Sequence, residues 1–304
     1  MTTPEQFDPR PRFLMCRPQY FAVTYSINPW MDPAAWSQSG DALHGAAVRQ
    51  WEGLLHAVRR SGATVELVEP EDGLPDLVFT ANSAVVLDGK ALLARFRHPQ
   101  RQGEEPVFAA AFHALRTRGL IEEVATLPPG VMLEGAGDCL WDAHRRLFWM
   151  GCGFRSDAAA REIVAAQFGV PCIALALADP AFYHLDTCLS PLPCGAVMYH
   201  PGAFTPEALA AIHDQVAPDQ RIALAPGDAA RFAANAVSVG RTIVLSSCSE
   251  TLRARLKERG YTVVKTPLAA FLRSGGSACC LTLRLDYRSV AMQAMPAVKA
   301  ARGR

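Results

Sequence analysis

One local pattern recurs along the chain and constrains the fold more than anything else in it. A short β-prone run carries a polar residue near its start. A hairpin turn, a second run, a helix and a further β-branched or apolar run come after it. Residues 79–88 (FTANSAVVLD) reach the turn pair Asp88-Gly89, then 91–96 (ALLARF) and a helix. The second copy has 137–141 (GDCLW), a turn at 142–145, 147–151 (LFWMG) and a helix over 157–168. In the third copy, 184–192 (HLDTCLSPL) leads through 193–195 to 196–200 (AVMYH) and a helix over 206–216. The fourth has 233–240 (AANAVSVG), Arg241, 242–247 (TIVLSS) and a helix over 250–260. Turn residues stand where tight hairpins need them, and runs such as 172–177 (CIALAL) and 262–267 (TVVKTP) come after the helices.

The polar residue opening each copy serves as an anchor. Asn82, Asp138, Asp186 and Asn235 are 56, 48 and 49 residues apart, and Cys280 in 275–285 (GGSACCLTLRL) lies 45 further on. The fifth unit has no helix of its own after Leu285, but residues 41–61 read as a helix and 64–68 as a strand, which is the missing half. Units that each bury one face must stack to make a core, and a ring closed by joining the two chain ends, with five-fold pseudosymmetry, does so. An asymmetric packing of strands and helices is the competing arrangement. In the ring, equivalent strand starts converge near the axis, so residues far apart in sequence share one pocket. If His184 and Asp186 lie on one strand, the two-residue period points both to the same face.

Composition narrows the function. Thirty basic residues against twenty-nine acidic ones give a formal charge of +1, with no run of like charge that would bind nucleic acid or anionic lipid. The expected partner is a small molecule. No apolar stretch approaches the length of a membrane span, and residues 1–12 hold four charges and three prolines in place of a secretory leader, so a cytoplasmic setting is expected. At 304 residues the chain can bury roughly three quarters of the surface its unfolded form exposes, so it needs no disulfide staples. Its nine cysteines include no Cys-x-x-Cys pair, and most are expected as buried packing in a reducing compartment. The histidines make no metal-ligand spacing, so neither metal nor cofactor is expected. One domain over residues 1–304 is the simplest organisation; a homo-oligomer is left open.

What the anchors carry is a thiol, carboxylates and amides, with His184 two residues before Asp186 and Glu134 four before Asp138. Taken singly, each has a plain structural explanation: Asp and Asn cap turns, a lone His sits hydrogen-bonded in a core, and a Cys packs. Together they make a catalytic set. The run Ser274-Gly275-Gly276-Ser277 lets the backbone approach a ligand or take a positive φ ahead of a nucleophile. Cys279 and Cys280 are adjacent and point opposite ways on an extended segment, so only one enters the pocket.

These residues resemble the guanidine-modifying, or pentein, superfamily of arginine deiminases, dimethylarginine dimethylaminohydrolases, amidinotransferases and arginine dihydrolases. The resemblance covers nearly the whole chain through 16–31 (CRPQYFAVTYSINPWM), 75–86 (PDLVFTANSAVV), 94–105 (ARFRHPQRQGEE), 133–141 (LEGAGDCLW), 183–192 (YHLDTCLSPL) and the closing Gly275-Gly276-x-x-x-Cys280-Leu281-Thr282. It implies a five-bladed α/β propeller, which agrees with the repeat. By motif, Cys280 matches the nucleophile, His184 the general acid and base, Glu134 the carboxylate that orients the histidine, and Asp186 a carboxylate that grips the guanidinium. Asp138 is placed in the substrate site with them. Asn28, and an arginine of 95–101 (Arg101 first, with Arg95 and Arg97 as alternatives), resemble positions that hold the amino acid end of the substrate.

The implied reaction is attack of a thiolate on the guanidinium carbon, a covalent thiouronium intermediate and its hydrolysis to a ureido product. Asn82 departs from the deiminases, which carry an Asp there, and agrees with dihydrolases in the TAN motif. An amide can satisfy a urea that a carboxylate repels, so retention of citrulline and a second hydrolysis to ornithine are expected. A dimethylargininase is the alternative within the same chemistry. A non-catalytic propeller is a remote third reading, since such proteins lack the complete Cys, His and carboxylate set.

Overall fold

The structure is a computed structural model and describes residues 10–290. The first nine residues, which the expectation of no secretory leader largely concerns, lie outside that range. Among the described residues fifteen strands occur: β1 (Arg12–Cys16), β2 (Thr64–Val68), β3 (Ala84–Leu87), β4 (Lys90–Leu93), β5 (Glu123–Ala125), β6 (Cys139–Asp142), β7 (Leu147–Cys152), β8 (Cys172–Ala176), β9 (Leu189–Pro191), β10 (Val197–Tyr199), β11 (Arg221–Ala223), β12 (Val237–Val239), β13 (Thr242–Leu245), β14 (Thr262–Lys265) and β15 (Leu283–Arg284). They form five sheets of three. In each, the first two strands pair antiparallel and the third joins parallel after a helical crossover, as in β3-β4-β5 and β6-β7-β8. The hairpin joining β3 to β4 turns through Asp88 at φ 55° and Gly89 at φ 74°. Those two left-handed conformations match the twist of the strands they join.

The long crossover helices are α1 (Gly40–Arg60), α2 (Glu104–Thr117), α3 (Ala160–Phe168), α4 (Pro206–Gln215) and α5 (Glu250–Glu258). In α1 the buried side chains are Ala47, Trp51, Leu54, Leu55 and Val58, one stripe at helical spacing. Burial of each large side chain in that stripe stabilises the blade by about 1.5–3 kcal/mol. The ring closes as the repeat requires. β1 pairs antiparallel with β15, Phe13 opposite Arg284, and parallel with β2, so the two ends of the chain build one blade between them. The fold is the five-bladed α/β propeller.

The anchors sit differently from the sequence expectation. None opens a strand; each lies in a turn one to three residues before the first strand of its blade. Asn82 is in the 3-10 turn Thr80–Ser83, Asp138 ends the single helical turn Gly135–Asp138, and Asp186 is in the 3-10 turn Leu185–Thr187. His184 and Asp186 therefore do not share a strand face. Short hydroxyl side chains bind the turn carbonyls: Ser83 Oγ donates to Thr80 O at 2.6 Å and Thr187 Oγ1 to His184 O at 2.6 Å. Serine and threonine at such spacings compete with the ladder and favour turns.

Candidate active site

The five turns bring their anchors to one end of the propeller axis, where Asn28, Asp76, Asn82, Arg101, Arg155, Tyr183 and Cys280 line a narrow cleft. The glycine loop presents the thiol. Gly275 holds φ at +80°, and a side chain there would collide with Tyr183 and with Asn28 Oδ1 at about 3 Å. The same loop is gripped from both sides: Tyr183 Oη donates to Gly275 O at 2.9 Å and Asn28 Nδ2 to Ser274 O at 3.1 Å. Cys279 lies away from this cleft, in a separate apolar cavity with Trp141, Phe148 and Tyr287. Cys280 lines the cleft and Cys279 that cavity, and both thiols interact with the Asp186 carboxylate between them.

Beside the thiol, Cys280 Sγ donates to Asp186 Oδ2 at 3.1 Å and accepts from Asn235 Nδ2 at 3.0 Å. Asp186 Oδ1 is buried with no hydrogen-bond partner among the described residues. Such an atom costs free energy until a donor meets it. Burial raises the Asp186 carboxyl to about 7, although hydrogen bonds from Cys280, Asn235 and Cys279 pull it back. Burial, and then the Asp186 charge, push the Cys280 thiol well above its ordinary range. The unliganded site therefore holds a neutral thiol, and a cation on Asp186 would stabilise the thiolate.

The rate should depend on pH accordingly. Asp186 can hold a cation only when ionised, so kcat/KM is expected to fall as pH drops through about 7, tenfold per unit on the acid side. A kcat/KM flat between about pH 5.5 and 8 would contradict the placement of the cation on Asp186.

On the other side of the cleft, Glu134 is fully buried and its Oε2 meets His184 Nε2 at 2.8 Å and Arg155 Nη1 at 2.9 Å. Burial alone would raise the Glu134 carboxyl; Arg155 and His184 outweigh it and hold the group well below the usual carboxylate range. His184 is thus oriented by an ionised partner, its Nδ1 turned toward Asn82 Nδ2 at 3.5 Å. Asp138 does not line the cleft itself, and neither do Glu134, His184 and Asp186, all of them buried behind its wall. Asp138 Oδ1 accepts from Leu185 N at 3.0 Å and its Oδ2 from Ser156 Oγ at 2.6 Å, so both oxygens brace the turn between His184 and Asp186. Each Asp138 oxygen is thus engaged within the protein, at the turn that carries His184 and Asp186.

Of the three candidate arginines, Arg101 alone lines the cleft. It is buried, joined to Glu104 through Nε at 2.8 Å and Nη2 at 2.7 Å, and donates Nη1 to Asn82 Oδ1 at 2.8 Å. The two-point contact with Glu104 keeps it charged. Arg95 is spent on the carbonyls of Leu127, Pro128 and Val131, and Arg97 on Asp157 and Arg155 O. Among the described residues no group of three or more His, Cys, Asp or Glu is placed to hold a metal ion, and no helix is long and apolar enough to cross a membrane.

Residues 17–286 match the family model for N,N dimethylarginine dimethylhydrolase, eukaryotic. The chain belongs to that family. Over 276 residues it is 44% identical to the bifunctional arginine dihydrolase/ornithine cyclodeaminase AgrE of Nostoc sp., a match covering 91% of this chain and 38% of AgrE. It is 37% identical over 284 residues to the N(G),N(G)-dimethylarginine dimethylaminohydrolase of Mycobacterium tuberculosis, covering 93% and 89% of the two chains. Crystal structures of the N-terminal domain of ArgZ, an arginine dihydrolase from the ornithine-ammonia cycle in cyanobacteria, include one bound to substrate and one covalently bound to a reaction intermediate. Both superpose with a TM-score of 0.85 at 39% identity, over 92% of this chain and all of theirs. The chain thus spans under two fifths of full-length AgrE and nearly all of the mycobacterial relative.

Three residues of the site carry no motif signal strong enough to find them from sequence. Arg155 is one, although the Phe-Arg pair of 96–97 recurs as 154–155 just beyond the second strand of the next blade. Asn235 stands out only as an anchor without a role. Asp76, accepting from Tyr25 Oη at 2.8 Å and Ser274 Oγ at 3.3 Å, is the third.

Proposed function

We propose that this protein hydrolyses the guanidino group of L-arginine through Cys280, in two rounds that end at ornithine. The observation that carries the reading is the unpartnered, buried Asp186 Oδ1 beside Cys280 Sγ. A guanidinium donating to Asp186 satisfies that oxygen, supplies the charge that favours the thiolate and brings its carbon beside sulfur. The thiol gives up its proton to the His184 imidazole, and the S–C bond forms as the sulfur lone pair attacks and the C=N π pair moves onto nitrogen. His184, held by Glu134, gives its proton to the departing nitrogen, ammonia leaves, and a thiouronium remains on Cys280. Water, deprotonated by His184, then displaces the sulfur and leaves the ureido group.

Asn82 governs the fate of that ureido group. Its oxygen is taken by Arg101, so its amide N–H groups face the reaction centre, with only long contacts to Glu134 O at 3.4 Å and His184 at 3.5 Å. Those N–H groups can hold a urea oxygen and turn citrulline into a second substrate, releasing a second ammonia and carbon dioxide. An Asp at this position would pair with Arg101 and turn an acceptor toward the urea. Arg155, Asn28 and Asp76, on the cleft wall, are the groups proposed for the substrate's carboxylate and amino ends, with Arg101 holding Asn82. Residues 1–304 are proposed as one catalytic domain. Nine free cysteines, unpaired by any disulfide, support a reducing, cytoplasmic setting.

The product assay is the test. With arginine, the wild-type protein is expected to release two ammonia per ornithine without accumulating citrulline, while Asn82→Asp stops at citrulline with one ammonia. Clean citrulline from the wild-type protein sinks the two-round reading. Dimethylarginine is the second reading, favoured by the family model and the mycobacterial relative. It is tested by offering asymmetric dimethylarginine beside succinylarginine and measuring dimethylamine.

A further inference from the structure

The fourth anchor has a place in the chemistry that its sequence context did not suggest. Asn235 is completely buried, and all four of its hydrogen-bonding positions are used. Its Oδ1 accepts from Cys279 N at 2.9 Å and Cys280 N at 3.2 Å. Its Nδ2 donates to Asp186 O at 3.0 Å and to Cys280 Sγ at 3.0 Å. This pattern fixes the amide's orientation. Reversed, the Asn235 NH2 would face two backbone N–H donors, and its oxygen would meet the Asp186 carbonyl. An N–H therefore always points at the sulfur.

We propose that Asn235 is the residue that makes the Cys280 thiolate accessible, donating a preorganised N–H to the sulfur while clamping the backbone that carries it. The inference rests on Cys280 being the nucleophile of the proposed reaction. The charged and titratable groups facing the thiol are Asp186, Cys279 and Tyr183, with Asp76, Arg101 and Arg155 across the cleft. Of the two side chains hydrogen-bonded to the sulfur, Asp186 opposes negative charge on it and Asn235 is the donor. The Ser277 backbone also favours that charge. When the thiol loses its proton, the S–H bond to Asp186 is lost and the N–H bond from Asn235 becomes charge-assisted. The bond is thus worth more after ionisation than before it. Its two backbone contacts also keep Cys280 in the cleft and Cys279 out of it.

The experiment reads the thiol directly and does not depend on which guanidine is the substrate. The rate of Cys280 alkylation by iodoacetamide is measured against pH in the wild-type protein and in Asn235→Asp, which keeps the two backbone contacts and replaces the N–H by an acceptor. Modification at Cys280 is monitored by peptide mass spectrometry. The expected result is an alkylation profile displaced upward by at least about one pH unit and a kcat/KM at pH 7 reduced by about a hundredfold. Arginine binding, measured in the Cys280→Ser background, is expected to change by less than about threefold. An alkylation profile identical to wild type in a folded variant overturns the proposal. If Asn235→Asp does not fold, the side-chain amide protons of Asn235 in the labelled wild-type protein decide. They are expected to shift with the titration of Cys280 and to lose that transition in Cys280→Ala. Their indifference to pH overturns the proposal. Failure to hydrolyse any guanidine, with alkylation still responding to Asn235, overturns the functional reading and leaves the role of Asn235 standing.

Discussion

Cys280→Ser is expected to abolish turnover of arginine, by at least about ten-thousandfold, while leaving arginine bound. A hydroxyl has the position and the Asn235 N–H, but its ordinary pKa lies far above that of a thiol. No group in the cleft is basic enough to remove its proton: Asp186, raised by burial, reaches only about 7, and an imidazole is a far weaker base than an alkoxide. The groups proposed to hold the substrate are untouched, and Asp186 Oδ1 still needs a donor. Calorimetric affinity for arginine is therefore expected within about threefold of that of Cys280→Ala, which also lacks the attacking sulfur. Acid-quenched wild-type protein should show the mass of a thiouronium adduct on the peptide carrying Cys280, and the serine variant should show none. Ammonia release by the variant at even a hundredth of the wild-type rate would rule out covalent catalysis at this residue, whatever the fate of the substrate.

How far the sequence carries a reader depends on whether the information is local. The blade unit is local: turn pairs such as Asp88-Gly89, the apolar stripe of α1 and the runs after the helices are each written within a few residues, and their order implies the ring that β1 and β15 close. Cys280, the proposed nucleophile, and the carboxylates Asp138 and Asp186 fall at repeating positions, with His184 two residues before one of them, so they too are legible as candidates. The backbone at those positions is not. A polar residue before an apolar run reads equally as a strand start or a turn end, and the hydroxyls of Ser83 and Thr187 tip it to the turn. The roles of Arg155 and Asn235 depend on contacts with residues 21 and 45 positions away, and Arg155 also reaches Ile27 O, 128 residues earlier. No window along the chain contains such partners. For Asp138 the anchor position suggests a place in the substrate site, and the hydrogen bonds to Leu185 and Ser156 add a bracing role that no window of sequence records.

Glu134→Gln is expected to damage both stability and rate, and a companion substitution separates the two. In the native protein the Glu134 carboxylate is wholly buried, and Arg155 Nη1 and His184 Nε2 converge on its Oε2. Its Oε1 accepts from Arg97 N at 3.2 Å. Removing the charge leaves the buried Arg155 guanidinium without its partner, a change that typically costs about 3–5 kcal/mol. A marked fall in Tm at pH 7 is the expected result. The sign with pH is fixed by the depressed carboxyl: its stabilisation is fully present above the unfolded value of about 4 and is lost as pH falls through the lower folded value. The difference in stability between wild type and Glu134→Gln should therefore shrink in acid. For catalysis, the glutamine amide can turn either an oxygen or an N–H toward His184, and the imidazole loses both its fixed tautomer and the charge that favours its protonated form. A fall in kcat of about a hundredfold to ten-thousandfold is expected. In the double variant Glu134→Gln/Arg155→Met the unpaired cation is gone, so Tm should recover, while kcat stays below that of Arg155→Met alone, which lacks the same proposed substrate contact. Recovery of activity along with stability would show that Glu134 serves only to neutralise Arg155, and that His184 needs no carboxylate to do its work.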